Sequence, residues 1–166
     1  MKTKKFNLGI ITLSDKVMVS DPCYGLSVWC NKVINNVLGG NYNCFTRVGK
    51  DGAWGERVKE LTICHVDRKP FTAFKHLDYI GCVAVDSGTC GIYDNSYYES
   101  THDENYADEK WYDKNVCSDF HLKKSQGLML ENKGIISCSG YGDGMYSVYV
   151  KRNENGLIHQ ITLKYI

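Results

Sequence analysis

Met145-Tyr-Ser-Val-Tyr-Val-Lys-Arg-Asn-Glu-Asn-Gly-Leu-Ile-His-Gln-Ile-Thr-Leu-Lys-Tyr165 decides the fold class. Leu157, His159, Ile161, Leu163 and Tyr165 alternate with Ile158, Gln160, Thr162 and Lys164, a period of two that only a strand satisfies. Asn155-Gly156 supplies the turn before it, and residues 145–152 supply a partner strand. Working back, residues 126–130 and 135–139 flank the turn Glu131-Asn-Lys-Gly134, so the last forty residues read as an antiparallel meander. Ser139-Gly-Tyr-Gly-Asp-Gly144 opens its final hairpin.

The rest of the chain supplies more strands. Residues 6–13 and 16–20 read as a hairpin turned at Ser14-Asp15, and residues 41–48 and 56–66 as a pair joined across Asp51-Gly52. The small apolar run Tyr79-Ile-Gly-Cys-Val-Ala-Val85 reads as a buried central strand. Between Asp21-Pro22 and Gly39-Gly40, apolar residues Leu26, Trp29, Cys30, Val33, Ile34 and Val37 recur at three and four, which predicts one main helix over residues 27–38 with Ser27 as its cap. Residues 100–119 carry charges and aromatics with few aliphatic residues, an acidic loop leading to a short helix over residues 107–116. The expectation is a single α+β domain over residues 1–166, mostly antiparallel β, built as a sandwich or partly open barrel.

Composition bounds the function. With 166 residues, 43% hydrophobic and 23% charged, the chain can build a core without staples, and a net charge of +1 gives no broad field for nucleic acid or anionic membrane. Neither is expected as the main partner. No run of about 18 apolar residues is present and the N-terminal apolar segment is broken by Asn7, Gly9 and Thr12, so a cytoplasmic location is expected. The eight cysteines are then free thiols, and their spacing lacks the short gaps of a zinc site.

Three segments concentrate chemistry: Ser20-Asp-Pro-Cys-Tyr24, Val85-Asp-Ser-Gly88 running on to Gly91-Ile-Tyr-Asp94, and the glycine turn at 139–144. Each places an aspartate (Asp21, Asp86, Asp143) where a strand breaks, beside proline or glycine and near tyrosine. Strand ends can gather carboxylates on one pocket, where they bind a divalent cation such as Mg²⁺ or act as acid and base. The plainer reading, that aspartate in such sequences caps neighbouring amides, carries more weight for each one alone. Tyr24, Tyr98, Tyr141 and Tyr146, with Ser87 and Gly88, offer faces, hydroxyls and open backbone to a planar polar ligand. Cys23, before the expected helix, has the position of an activated thiol but no identifiable histidine partner.

These three ordered motifs, with Trp29-Cys30, Asp94, Tyr98, Tyr146 and Tyr149, resemble an uncharacterised domain family of bacterial and phage genomes. The resemblance implies a compact cytosolic domain of phage or mobile-element type, a setting in which small proteins bind or destroy host defence signals. The leading expectation is therefore a protein that binds or sequesters a small polar, nucleotide-derived ligand, needing no cofactor and using Tyr24, Asp86, Ser87, Gly88, Tyr98, Tyr141, Asp143 and Tyr146. One alternative is a metal-dependent phosphoester hydrolase using Asp21, Asp86 and Asp143. The other is a homo-oligomeric interaction module whose motifs only shape turns.

Overall fold

Two antiparallel sheets face each other in the computed structural model, which describes residues 3–104, 109–117 and 123–166. The larger has the order β1-β4-β5-β11-β10-β6: β1 is Thr3–Leu13, β4 Gly40–Lys50, β5 Glu56–His65, β6 Asp78–Val85, β10 Gly144–Arg152 and β11 Ile158–Lys164. The smaller has the order β3-β2-β7-β9-β8, with β2 at Val17–Ser20, β3 at Lys32–Ile34, β7 at Thr89–Asp94, β8 at Gly127–Leu130 and β9 at Gly134–Cys138.

Strand alternation builds the core between them. Ile11, Leu61, Ile63, Val83, Val148, Ile161 and Leu163 from the larger sheet meet Val17, Val19, Ile92 and Ile135 from the smaller. The other face of the smaller sheet presents Met18, Tyr93, Leu128, Leu130 and Ile136, which pack under α1 (Asn95–Thr101) and under α2 (Glu109–Tyr112) with the π-turn Asp113–Cys117 that follows it. Hydrophobic burial on both faces makes the five-stranded sheet the middle layer.

The expected mostly antiparallel α+β sandwich is thus the fold, with several elements placed differently. Residues 27–38 are turns and the short strand β3, not a helix. Val28, Val33, Ile34 and Val37 lose χ1 freedom in a helix, and three asparagines compete for the backbone. Asn31 does so directly: its Oδ1 accepts from Val28 N at 3.1 Å, and its Nδ2 donates to Ser20 Oγ at 2.9 Å and Gly25 O at 3.1 Å. Trp29 and Val33, two of the apolar residues that carry the three-and-four spacing, are 52% and 44% exposed. The short helix expected over residues 107–116 is present as α2 and its π-turn, while residues 105–108 lie outside the described residues. Helix α1 has no counterpart in the sequence pattern, because its seven residues, Asn95–Thr101, are too few to show a helical period and its cap Asp94 lies within a strand-end motif.

Strands were also assigned to the wrong neighbours. β1 and β2 are not a hairpin: residues 14–16 carry the chain from one sheet to the other. The run at 79–85 is an edge strand, pairing with β10 alone, and its apolar character comes from Val83 and Val85 in the core and Ala84 beneath Tyr24 and Cys30. The glycine turn at 139–144 leaves the smaller sheet and enters the larger, so the final meander is split between them.

Two positions test this packing. A Cβ on Gly91 would strike the Tyr93 hydroxyl and lie 2.7 Å from the Ile135 carbonyl, a backbone atom on the paired strand that cannot swing away. Gly91→Ala is expected to cost about 2 kcal/mol, as overpacking does, lowering the melting temperature by roughly 4–8 °C. Asp94 caps α1 through Ser96 N and Tyr97 N and accepts from Ser14 N at 2.7 Å, tying the first sheet crossing to the helix. Burial opposes its ionisation, but the bonds from Ser96, Ser14 and Tyr97 outweigh burial and hold its carboxyl below the usual range. Because the folded value is depressed, its stabilisation is full above about pH 4 and fades as pH falls through the folded value. Urea denaturation should show Asp94→Ala less stable by about 1–2 kcal/mol at neutral pH, with the gap closing in acid.

Candidate functional site

Strand register brings the three motifs to one corner of the sandwich. β6 pairs with β10, setting Val85 opposite Gly144, while β7 pairs with β9, setting Thr89 opposite Cys138. Residues 86–88 and 139–143 therefore cross between the sheets side by side. Ser139 N donates to Gly88 O at 3.0 Å, and a Cβ on Gly88 would stand 3.8 Å from Gly142 Cα. The first motif arrives because β2 pairs with β7, with Ser20 opposite Gly91, leaving Asp21 at the mouth of the 86–88 crossing.

Asp21 is fully buried and binds the corner together. Its Oδ2 accepts from Asp86 N at 2.8 Å and Ser87 N at 2.7 Å; its Oδ1 accepts from Ser87 Oγ at 2.7 Å and Cys23 N at 2.9 Å. Four donors compensate the desolvated charge, and both oxygens are occupied by the chain itself. Among the described residues no group of three His, Cys, Asp or Glu side chains is placed to hold a metal ion, and the three aspartates do not form one.

The other residues read from the sequence divide by location. Asp86 is exposed and accepts a hydrogen bond from the hydroxyl of Tyr24, whose ring meets Trp29 edge-on at 5.5 Å. Ser87 Oγ also contacts Thr89 Oγ1 at 2.8 Å, which continues to Tyr112 Oη at 3.0 Å. Tyr98 is buried, its hydroxyl donating to Tyr24 O at 2.6 Å and Asp21 O at 3.1 Å, so it braces the loop. Tyr146 is buried and donates to Gly142 O at 2.8 Å, bracing the glycine turn. Asp143 and Tyr141 are exposed, with the Tyr141 hydroxyl on the Asp51 carboxylate and its ring 6.1 Å from that of Trp54. Cys23 lies in no helix N-terminus; burial, then Asp21, pushes its thiol up to about 11, the opposite of activation.

Beside the crossings opens a cleft of about 430 Å³ lined by Arg57, Gly88, Lys123, Gln126, Cys138 and the turn residues 140–142. Gly140 fixes its shape: φ is +62°, and a Cβ there would fall 2.9 Å from Tyr165 Cβ and 3.3 Å from the Val58 carbonyl, so the turn lies directly against β5 and beside Arg57. Gln126 closes the opposite side, its Nε2 donating to Glu56 O at 3.2 Å and its carbonyl accepting from Cys138 N at 3.0 Å. Near the rim, Tyr141 and then Lys59 hold the Asp51 carboxyl below its usual range, so this acid is held to the protein's own groups. Among the described residues, the cleft wall carries two cations, Arg57 and Lys123, and no carboxylate. Sequence reasoning found the glycine turn but missed Arg57, Lys123 and Gln126, which lie 31, 35 and 38 positions from Gly88 and have no local pattern that marks them.

The chain belongs to the family described as protein of unknown function DUF4241, whose model matches residues 13–163. No curated protein and no solved structure matches it. No helix among the described residues is long and apolar enough to cross a membrane.

The clamp and the exposed acid separate in a simple experiment. Asp21→Asn turns an amide group toward backbone N–H donors, and guanidinium denaturation is expected to show a loss of about 3 kcal/mol. Asp143→Asn, on the exposed turn, should stay within about 0.5 kcal/mol of the parent.

Proposed function

We propose that the protein binds a small anionic, nucleotide-derived ligand in the cleft beside the two sheet crossings, and holds it without transforming it. The observation that carries this is the pairing of Arg57 and Lys123 with three glycines, Gly88, Gly140 and Gly142, around one cleft. Guanidinium and ammonium groups supply charge and directed donors to a phosphate, and glycine lets the anion approach the backbone. A volume of about 430 Å³ suits a ligand of nucleotide size, and exposed Tyr141 and Trp54 at the rim provide faces for a base. Two of the motif aspartates serve elsewhere, Asp21 being saturated and Asp86 taking the Tyr24 hydroxyl, and Asp143 stands on the exposed turn outside the cleft lining, so the lining offers an anion cations. In the cytoplasmic phage or mobile-element setting that the motifs resemble, such a binder withholds a signal nucleotide from the host proteins that read it.

Thermal-shift screening against mononucleotides and cyclic dinucleotides tests this directly. A true ligand at one hundred times its Kd should stabilise by about 2.7 kcal/mol, roughly 5–10 °C for a domain of this size. Arg57→Ala should weaken binding about tenfold or more while leaving the unliganded melting temperature close to the parent's. Stabilisation by none of these compounds, or full affinity retained in Arg57→Ala, defeats the proposal; ligand recovered chemically changed would show that it is an enzyme.

A further inference from the structure

A second pocket, of about 440 Å³, lies at the other end of the six-stranded sheet. Register separates the two: β11 sets Lys164 against Glu60 toward Arg57, and Gln160 against Cys64 toward this pocket. Its walls come from the segment after β5, with Arg68, Lys69 and Phe71, and from the end of β10, with Lys151 and Arg152; the buried His159 on β11 completes it. Among the described residues, Glu154 is the only carboxylate in the lining.

The pocket is built rather than incidental. The Gln160 side chain grips the Phe71 backbone in both directions, Phe71 N donating to Oε1 and Nε2 donating to Phe71 O, each at 2.8 Å. Lys151 Nζ stands 4.9 Å from the centre of the Phe71 ring and donates to His76 O at 2.9 Å. Arg68 pairs with Glu154 at 3.2 Å, and Arg152 with Asp78 at 3.1 Å, both in exposed, screened geometry of small energetic worth. Four cations thus face two carboxylates.

His159 gives an independent sign. Its side chain is in a residue only 4% exposed, and among the described residues its Nδ1 has no hydrogen-bond partner. Burial, then the charges of Arg68, Lys151 and His65, lower the ring's pKa, as a pocket with excess positive charge must. A buried imidazole nitrogen without a partner is costly, and an anion here would satisfy the cations and favour protonation of the ring together.

We propose that this pocket is a second binding site, separate from the glycine-turn cleft, for a phosphate-bearing small anion held by Arg68, Lys69, Lys151 and Arg152 over the imidazole of His159. Planar guanidinium groups match phosphate oxygens two at a time, and the lysines add point charge.

The probe is inorganic pyrophosphate, and the reporter is the His159 imidazole followed by NMR through a pH titration of the whole chain. Pyrophosphate is expected to move the His159 midpoint upward by about one pH unit, which sodium chloride at matched ionic strength does not. Lys151→Gln, which keeps an aliphatic stem over Phe71, should weaken the pyrophosphate affinity read at His159 about tenfold, and Arg57→Ala should leave it unchanged. An unmoved midpoint, an equal shift with chloride, or an affinity indifferent to both Lys151→Gln and Arg68→Ala overturns the proposal. Loss of this affinity in Arg57→Ala would also overturn it, since the two sites would then not be separate.

Discussion

The buried carboxylate of Asp21 is the constraint on which the rest of the corner depends. An ionised group at zero exposure is tolerable only when its lost hydration is replaced, and four donors from Cys23, Asp86 and Ser87 replace it. Those donors belong to two different segments, so the electrostatic requirement of one side chain fixes the loop after β2 against the crossing after β6. Its charge is felt nearby: burial first, and Asp21 as well, raise the thiol pKa of Cys23, Cys30 and Cys90. The interior around the clamp is therefore a place for neutral thiols and phenols, and cations are found outside it.

That division of charge gives the site its polarity. The crossing at 86–88 is anchored inward by Asp21, and the crossing at 139–143 is anchored to it by Ser139 N on Gly88 O. Further bonds shape the glycine turn from within: Ser139 Oγ and Tyr146 Oη both donate to Gly142 O, at 2.7 and 2.8 Å. With Asp21 and these hydroxyls engaged on the protein side, the cleft beside the turn is lined by glycine backbone, Arg57 and Lys123, while Asp143 stands on the exposed turn outside that lining. On the proposed reading, a cleft preorganised in this way receives an anion without rearranging its own hydrogen bonds, which lowers the cost of binding.

The sequence revealed strands more readily than their neighbours. Period-two alternation in residues 157–165 and the turn residues around them depend on local geometry, and β8 to β11 sit close to where that pattern puts them. Sheet membership depends instead on which faces meet in the core, so the turn at 139–144, which looks like a hairpin, is a crossing. The helix read over residues 27–38 failed for a related reason: spacing by three and four survives in a chain of turns, while the side-chain bonds of Asn31 and the need of β2 for a partner outweigh a weak helical propensity. The motifs were legible as a group because turn residues are locally distinctive. Arg57 and Lys123 were not, because a surface cation acquires meaning only from what the fold sets beside it.

The same reasoning reorders what a motif aspartate signifies. Asp21, Asp86 and Asp143 share a sequence setting, yet one is buried and saturated, one is exposed beneath a tyrosine hydroxyl, and one stands on an exposed turn. A shared catalytic role would require their oxygens to be open toward a common point, and the first has none to offer. Their common feature is position, at strand ends where the chain changes direction. The motifs therefore encode the corner, and the corner in turn borders the cleft, whose cations come from β5 and the segment before β8 that the corner brings alongside.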